Sequence, residues 1–98
     1  DQPVRDVAWL LKQPGDSYSL QLFGARNRAA AAKFVATHRH ADLWLLTARH
    51  QGAPWYVVLY GLYPDRDSAR RAIAGLPAGL RQSEPWARPV SSLREIAQ

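Results

Sequence analysis

Aromatic and amide side chains are the residues of this chain best placed to do chemistry, because the usual reactive constellations are missing. There is no cysteine, which excludes a disulfide framework, a thiolate nucleophile and a thiolate metal site. The eight acidic residues are scattered, with no spacing that suggests a pair of acid–base carboxylates. No G-x-S-x-G, H-E-x-x-H or phosphate-cradling glycine loop occurs. Serines 17, 19, 68, 83, 91 and 92 stand mostly where turns and caps use them. The "HRH" of residues 38–40 and His50 have no carboxylate cluster beside them, so they read as a solvated helix end rather than a zinc site. The expectation is a protein that is not an enzyme and carries no cofactor.

Four tryptophans remain to be explained. Trp44 lies inside the apolar run "LWLL" and reads as core, and Trp9 reads as a packing anchor near the start of the chain. Trp55 and Trp86 differ, since each follows a proline, in "APWY" and "EPWA". Their rings can stack on the C–H faces of sugars or on nucleobases. A glutamine amide, such as that of Gln21, both donates to and accepts from hydroxyl and acetamido groups.

The elements that position these residues follow from a degenerate repeat. "YSLQLF" (18–23) leads through a loop to "RAAAAKFVATH", and "YVVLYG" (56–61) leads through a loop to "RDSARRAIAGL". At an offset of 38, Tyr18 matches Tyr56, Leu20 matches Val58, Leu22 matches Tyr60, Ala31 matches Ala69, and Val35 matches Ile73. Four consecutive alanines, with Phe34 and Val35 as an apolar stripe, predict a helix over 28–38. Ala69, Ala72, Ile73 and Leu76 recur at helical spacing, Asp67 and Arg71 form an i,i+4 pair, and "GLPAG" (75–79) stops the helix.

"DLWLLTA" (42–48), the turn "RHQGAP" (49–54) and the strand at 55–60 predict a hairpin. "RQSEPWARPV" (81–90) predicts a proline-marked edge strand. The order is β-α-β-β-α-β, an α+β domain in which two helices cover one face of a four-stranded antiparallel sheet, the split βαβ arrangement. Short helices flank it: "VRDVAWLLKQ" (4–13), ending before Pro14-Gly15, and "SSLREIAQ" (91–98), where Ser92 and Glu95 suggest a capping box. The boundaries expected are 1–15 for the first helix and linker, 16–90 for the domain and 91–98 for the tail.

Strand parity then divides the residues between two faces. Leu20, Leu22, Tyr56, Val58 and Tyr60 belong under the helices. Ser19, Gln21, Phe23, Trp55, Val57 and Leu59 belong to the opposite face, where an amide among apolar groups suits a binding surface. The competing expectation is that the terminal helix with Trp9, Leu10 and Leu11 covers that face.

At 98 residues, 47% hydrophobic and 21% charged, the chain makes one globular domain. It has no apolar run long enough to span a bilayer, and its first residues do not resemble a secretion signal. The net charge is +5, and eleven of the thirteen basic residues are arginine, which suggests a polyanionic partner, either nucleic acid or an anionic cell-surface polymer. Arg26, Arg28, Arg66, Arg70 and Arg71 fall mostly on or before the helices, away from the open face. The element order is also that of the RNA-recognition motif, but "PWYVVLYG" lacks the aromatic pattern that family uses to stack bases.

From Trp9 to Val90 the chain resembles the SPOR domains of bacterial cell-division and cell-wall proteins. The resemblance is carried by "YSLQLFGARN" (18–27), the alanine-rich helix, "PWYVVLYGLYPDRDSARRAIAGLP" (54–77) and "PWARPV" (85–90). It implies non-catalytic binding of septal peptidoglycan, favouring glycan strands stripped of their stem peptides. It also implies a periplasmic domain held at the inner membrane by a segment outside this chain; the alternative use of the same apolar face is as a docking platform for other division proteins. The family's glycan-contacting positions carry over to Gln21, Trp55 and Trp86. Gly24 stands where similar members have serine, and Phe23 where many have glycine. Together with Val57 and Leu59 as groove floor, the expected glycan-binding set is Gln21, Phe23, Gly24, Trp55, Val57, Leu59 and Trp86.

Overall fold

The computed structural model describes residues 7–38 and 42–97. The elements run α1 (Val7–Leu11), β1 (Tyr18–Ala25), α2 (Arg28–Thr37), β2 (Leu43–His50), β3 (Ala53–Tyr63), α3 (Arg66–Ile73), α4 (Ala78–Arg81), β4 (Trp86–Pro89) and α5 (Val90–Ile96). The sheet is antiparallel in the order β2-β3-β1-β4, so the predicted β-α-β-β-α-β core is present with helical additions. The fourth strand is shorter than expected, because Arg81 ends α4, residues 82–85 lie outside the sheet and Val90 already begins α5. The hairpin reverses in two residues, Gln51 and Gly52, both at positive φ (52° and 78°), the geometry a tight two-residue turn demands.

Both long helices are fixed at their starts by carboxyl or amide side chains. Asn27 accepts from the Ala29 amide at 2.7 Å, and Asp65 accepts from the Ser68 amide at 2.7 Å. Alanine at the matched positions 31 and 69 lets each helix approach the sheet closely, and both residues are fully buried. They pack on Leu20, Leu22 and Val58, with Tyr56 and Tyr60 at the margin, as the parity of the strands predicts. Arg71 reaches back to the Asp67 backbone carbonyl (Nε to O, 3.3 Å).

The opposite face carries a second core. Leu10 of α1 and Val90 and Leu93 of α5 pack over Trp44, Leu46, Val57 and Leu59, and Trp9 meets Trp44 edge to face at 5.2 Å between centroids. Helix α5 starts at the end of β4, and its last flanking residue, Ala97, bridges Ala48 on β2, so it crosses the sheet from one edge to the other. The Val90 amide donates to the Ser17 carbonyl at 2.8 Å, and Arg94 Nη2 donates to the Gln13 carbonyl, which tie the two terminal segments together. Each fully buried valine or leucine here contributes roughly 1.5–3 kcal/mol relative to exposure. The sheet is therefore sandwiched between helical layers on both faces.

Two β-bulges set the facing of β1. Between the pairs Tyr18↔Tyr63 and Leu20↔Tyr60 the extra residue lies on β3; between Gln21↔Leu59 and Phe23↔Val58 it lies on β1. Gly61 occupies the first irregularity at φ 68°, and the buried Ser19 hydroxyl donates to its carbonyl at 2.7 Å. A bulge changes which face the following residues meet; the bulges and the helical cover overturn three sequence expectations, and the start of α5 overturns a fourth.

Phe23 does not join Gln21. The bulge at Leu22 turns it to the helix side, where it stacks on Phe34 at 5.1 Å and 10°. Val57 and Leu59 are fully buried beneath the terminal helices and cannot floor an open groove. Ser19 is likewise sealed, its hydroxyl used by the β3 backbone. Ser92 is not a helix cap: α5 begins two residues earlier, after Pro89, and the Ser92 hydroxyl donates to the Pro89 carbonyl at 2.9 Å.

Candidate functional site

Part of the second face escapes the helical cover, along β1 and β4 and the start of β3. Four of the sequence-predicted site residues reach it: Gln21, Gly24, Trp55 and Trp86. Gln21 pairs directly with Trp86 across the β1–β4 ladder, so the amide and the indole share a face and adjoin. Trp86 is 53% exposed, a rare state for a side chain whose burial is worth so much. Its exposure follows from β4 being a short edge strand entered through Pro85, which leaves one flank of the strand without a neighbour.

Gly24 and Trp55 form the other end of the strip. The bulge places Gly24 opposite Val57, on the same face as Gln21 although three residues away. The indole of Trp55, half-buried, lies across the glycine: a Cβ at position 24 would come within 2.9 Å of Trp55 Cζ2. Gly24 thus seats the Trp55 ring. From Gln21 to Gly24 is roughly 10 Å along the strand.

Two arginines that the sequence reading did not place on this face complete the strip. Arg88 donates from Nη1 to Gln21 Oε1 at 2.7 Å and from Nε to Ser92 Oγ at 3.0 Å, and its Cζ lies 5.3 Å from the Trp86 ring centroid. Its half-buried guanidinium is pulled below the ordinary arginine pKa by desolvation, against an opposing pull from the charge of Glu95. Arg26, expected on the helix side, has its Cζ 5.9 Å from the Trp55 centroid, and His50 lies 5.8 Å from the same ring. The signal for Arg88 was present in the alternation of "WAR": residues 86 and 88 share a face while Ala87 turns to the helix-side core.

Chemically the strip offers two indole faces, an amide held at its oxygen and free to donate from Nε2, and guanidinium groups. That set suits a polar, ring-bearing ligand. Among the described residues no group of three His, Cys, Asp or Glu converges as a metal site; Arg39 and His40 of the "HRH" run lie outside those residues. Among them, too, no helix is long and apolar enough to cross a membrane.

Comparison with known proteins supplies the context. Residues 14–89 match the SPOR domain family. Over 82 residues the chain is 33% identical to a protein named cell division protein DamX from Serratia marcescens, covering 84% of this chain and 38% of that protein. The chain therefore spans well under half the length of this relative.

Proposed function

Because the chain belongs to the SPOR domain family, we propose that it binds peptidoglycan without catalysis and directs its parent protein to the bacterial division septum. The observation that carries this reading is the pairing of exposed Trp86 with Gln21 on the uncovered strip of a sheet whose centre is sealed. A sugar polymer needs an aromatic surface for its C–H faces and fixed amide groups for its hydroxyl and acetamido substituents. Trp86, Trp55 and Gln21 supply both, and Gly24 seats the Trp55 ring. The preferred ligand in this reading is a glycan strand from which amidases have removed the stem peptides. The domain works in the periplasm, with any membrane anchor and any contact to other division proteins supplied elsewhere in the parent protein.

The nucleic-acid reading loses support from the same geometry. An RNA-recognition sheet stacks bases on its central strands, whereas Val57 and Leu59 here are wholly buried under α1 and α5.

Co-sedimentation with purified sacculi tests the proposal. The chain is expected to pellet with sacculi, and more of it after amidase digestion. Trp55→Leu is expected to release it into the supernatant while thermal unfolding stays near that of the parent. Absence from the pellet under both conditions defeats the glycan reading; equal binding before and after digestion removes the preference for denuded strands.

A further inference from the structure

Each tryptophan of the uncovered strip has a guanidinium against it: Arg88 at 5.3 Å from Trp86 and Arg26 at 5.9 Å from Trp55. Arg88 is half-buried, yet the groups it bonds are neutral, Gln21 Oε1 and Ser92 Oγ. Those bonds occupy two of the five N–H groups that a guanidinium carries. Among the described residues no carboxylate hydrogen-bonds it; Glu95 acts on it through its charge alone. A cation drawn partly out of water and contacted by neutral groups gains from an anion delivered by a ligand. Arg26 is exposed on the loop after β1, also with no carboxylate bonded to it among those residues.

We propose that Arg88 and Arg26 recognise carboxylates borne directly on the sugar rings that stack beside Trp86 and Trp55. The inference rests on the glycan reading above and assigns its specificity. Muramic acid carries a lactyl ether whose carboxyl group is tied up as a neutral amide when a stem peptide is attached. Hydrolysis of that amide frees a carboxylate on the muramic acid. Stem peptides carry carboxylates of their own, but on a flexible chain and not at a fixed distance from the ring. A guanidinium held beside an aromatic ring reads ring and charge together, and its planar fork suits a carboxylate. Preference for denuded strands then has a source in charge, in addition to any steric effect of the peptide.

The experiment compares denuded glycan strands with the same strands after their lactyl carboxylates have been converted to primary amides with ammonia and a carbodiimide. Binding to the whole chain is measured by calorimetry for the parent, for the Arg26→Gln/Arg88→Gln double variant and for Arg88→Lys, each checked for an unchanged unfolding midpoint. Amidation is expected to weaken parent binding about tenfold, the scale of one lost charge-assisted hydrogen bond. The double variant is expected to bind both strands equally, at the level of the parent with the amidated strand. Arg88→Lys is expected to keep part of the discrimination, since it retains charge without the fork. Equal parent affinity for the two strands overturns the proposal while leaving glycan binding intact. Discrimination that survives in the double variant also overturns it, reducing Arg88 to a brace for Gln21. No parent binding to either strand defeats the glycan reading itself, and this inference with it.

Discussion

Replacing Gly24 with alanine tests the geometry of the strip more sharply than removing an aromatic ring. The added Cβ would stand 2.9 Å from Trp55 Cζ2 and 3.3 Å from both Cε2 and Nε1. Unstrained carbon contacts lie at about 3.5–4.0 Å, so the indole must withdraw by roughly 0.6–1.1 Å. Main-chain strain does not enter, because Gly24 is outside the positive-φ region that Gly52 and Gly61 occupy. A ring locked in a core would make such overpacking cost about 1–3 kcal/mol. Trp55 is only partly buried and can swing outward, and alanine returns about 0.4–1 kcal/mol by restricting the unfolded chain. Stability is therefore expected to change by no more than about 1 kcal/mol while the ring moves. Losing the seat is expected to cost about 0.5–1.5 kcal/mol of glycan affinity, the scale of an aromatic contact, or about two- to tenfold. The readout is the indole Nε1–H resonance of Trp55, assigned with Trp55→Phe, alongside sacculus binding and chemical denaturation. An unmoved Trp55 resonance in Gly24→Ala would refute the seating. A loss of stability beyond about 3 kcal/mol would show instead that the ring is held as core.

Other outcomes follow from the burial and capping described above. Leu59→Ala and Leu93→Ala are each expected to lower unfolding free energy by about 2–5 kcal/mol in urea titrations, from opposite sides of one core, without weakening sacculus binding of the folded fraction. Trp86→Leu should do the reverse, cutting pelleting with sacculi and leaving the urea midpoint nearly unchanged, because the ring is 53% exposed. Phe23→Leu breaks the stack on Phe34 and is expected to cost about 0.5–1.5 kcal/mol of stability with no effect on binding; a binding defect in a stable protein would return Phe23 to the site. Asp65 has its pKa lowered by the Ser68 backbone amide, then by the Ser68 side chain and the charge of Arg71, with desolvation opposing. A depressed carboxylate stabilises the fold above its unfolded pKa of about 3.9, and that contribution fades as pH falls through the folded value. Unfolding midpoints followed from about pH 7 to about pH 3 should therefore drop less steeply in Asp65→Asn than in the parent.

The fold was legible where chain periodicity and packing coincide. Alternation in "WYVVLY" separated Tyr56, Val58 and Tyr60 from Trp55, Val57 and Leu59, and the two cores divide along that line. The offset of 38 matched Ala31 with Ala69, and both are fully buried where the two helices pack on the sheet. What lay outside reach was local and had a physical cause each time. The bulge at Leu22 inserts a residue without breaking the apolar run, so simple alternation carried Phe23 to the wrong face. Helix α1 is five residues long with Leu10 as its one buried residue, too short for a period to show how much of the sheet it seals. Ser92 had the right spacing for a capping box, but its hydroxyl bonds Pro89 and Arg88. The family resemblance grouped Gln21 with Trp86, whereas their direct pairing and the role of Arg88 between them needed the register itself.

The paired bulges of β1 and β3 have a consequence for how this domain tolerates length change. Outside them the two strands share one register; between them Leu20 and Gln21 are offset by a single residue, and the second bulge cancels the first. The arrangement works like two opposed frameshifts that leave the reading correct at both ends. Deleting Leu22 would remove the second bulge, leave Phe23 opposite Val58 and Gly24 opposite Val57, and bring Gln21 one residue closer to Gly24. Deleting Leu62 alone would disturb the Ser19 contact to Gly61. Removing both residues together would restore plain pairing along the whole ladder. The Leu22 deletion, alone or combined with that of Leu62, should therefore keep the ladder paired yet lose the Gln21-to-Gly24 spacing. Sacculus binding that falls further than stability in that deletion would identify the second bulge as a device of the strip and not of the sheet.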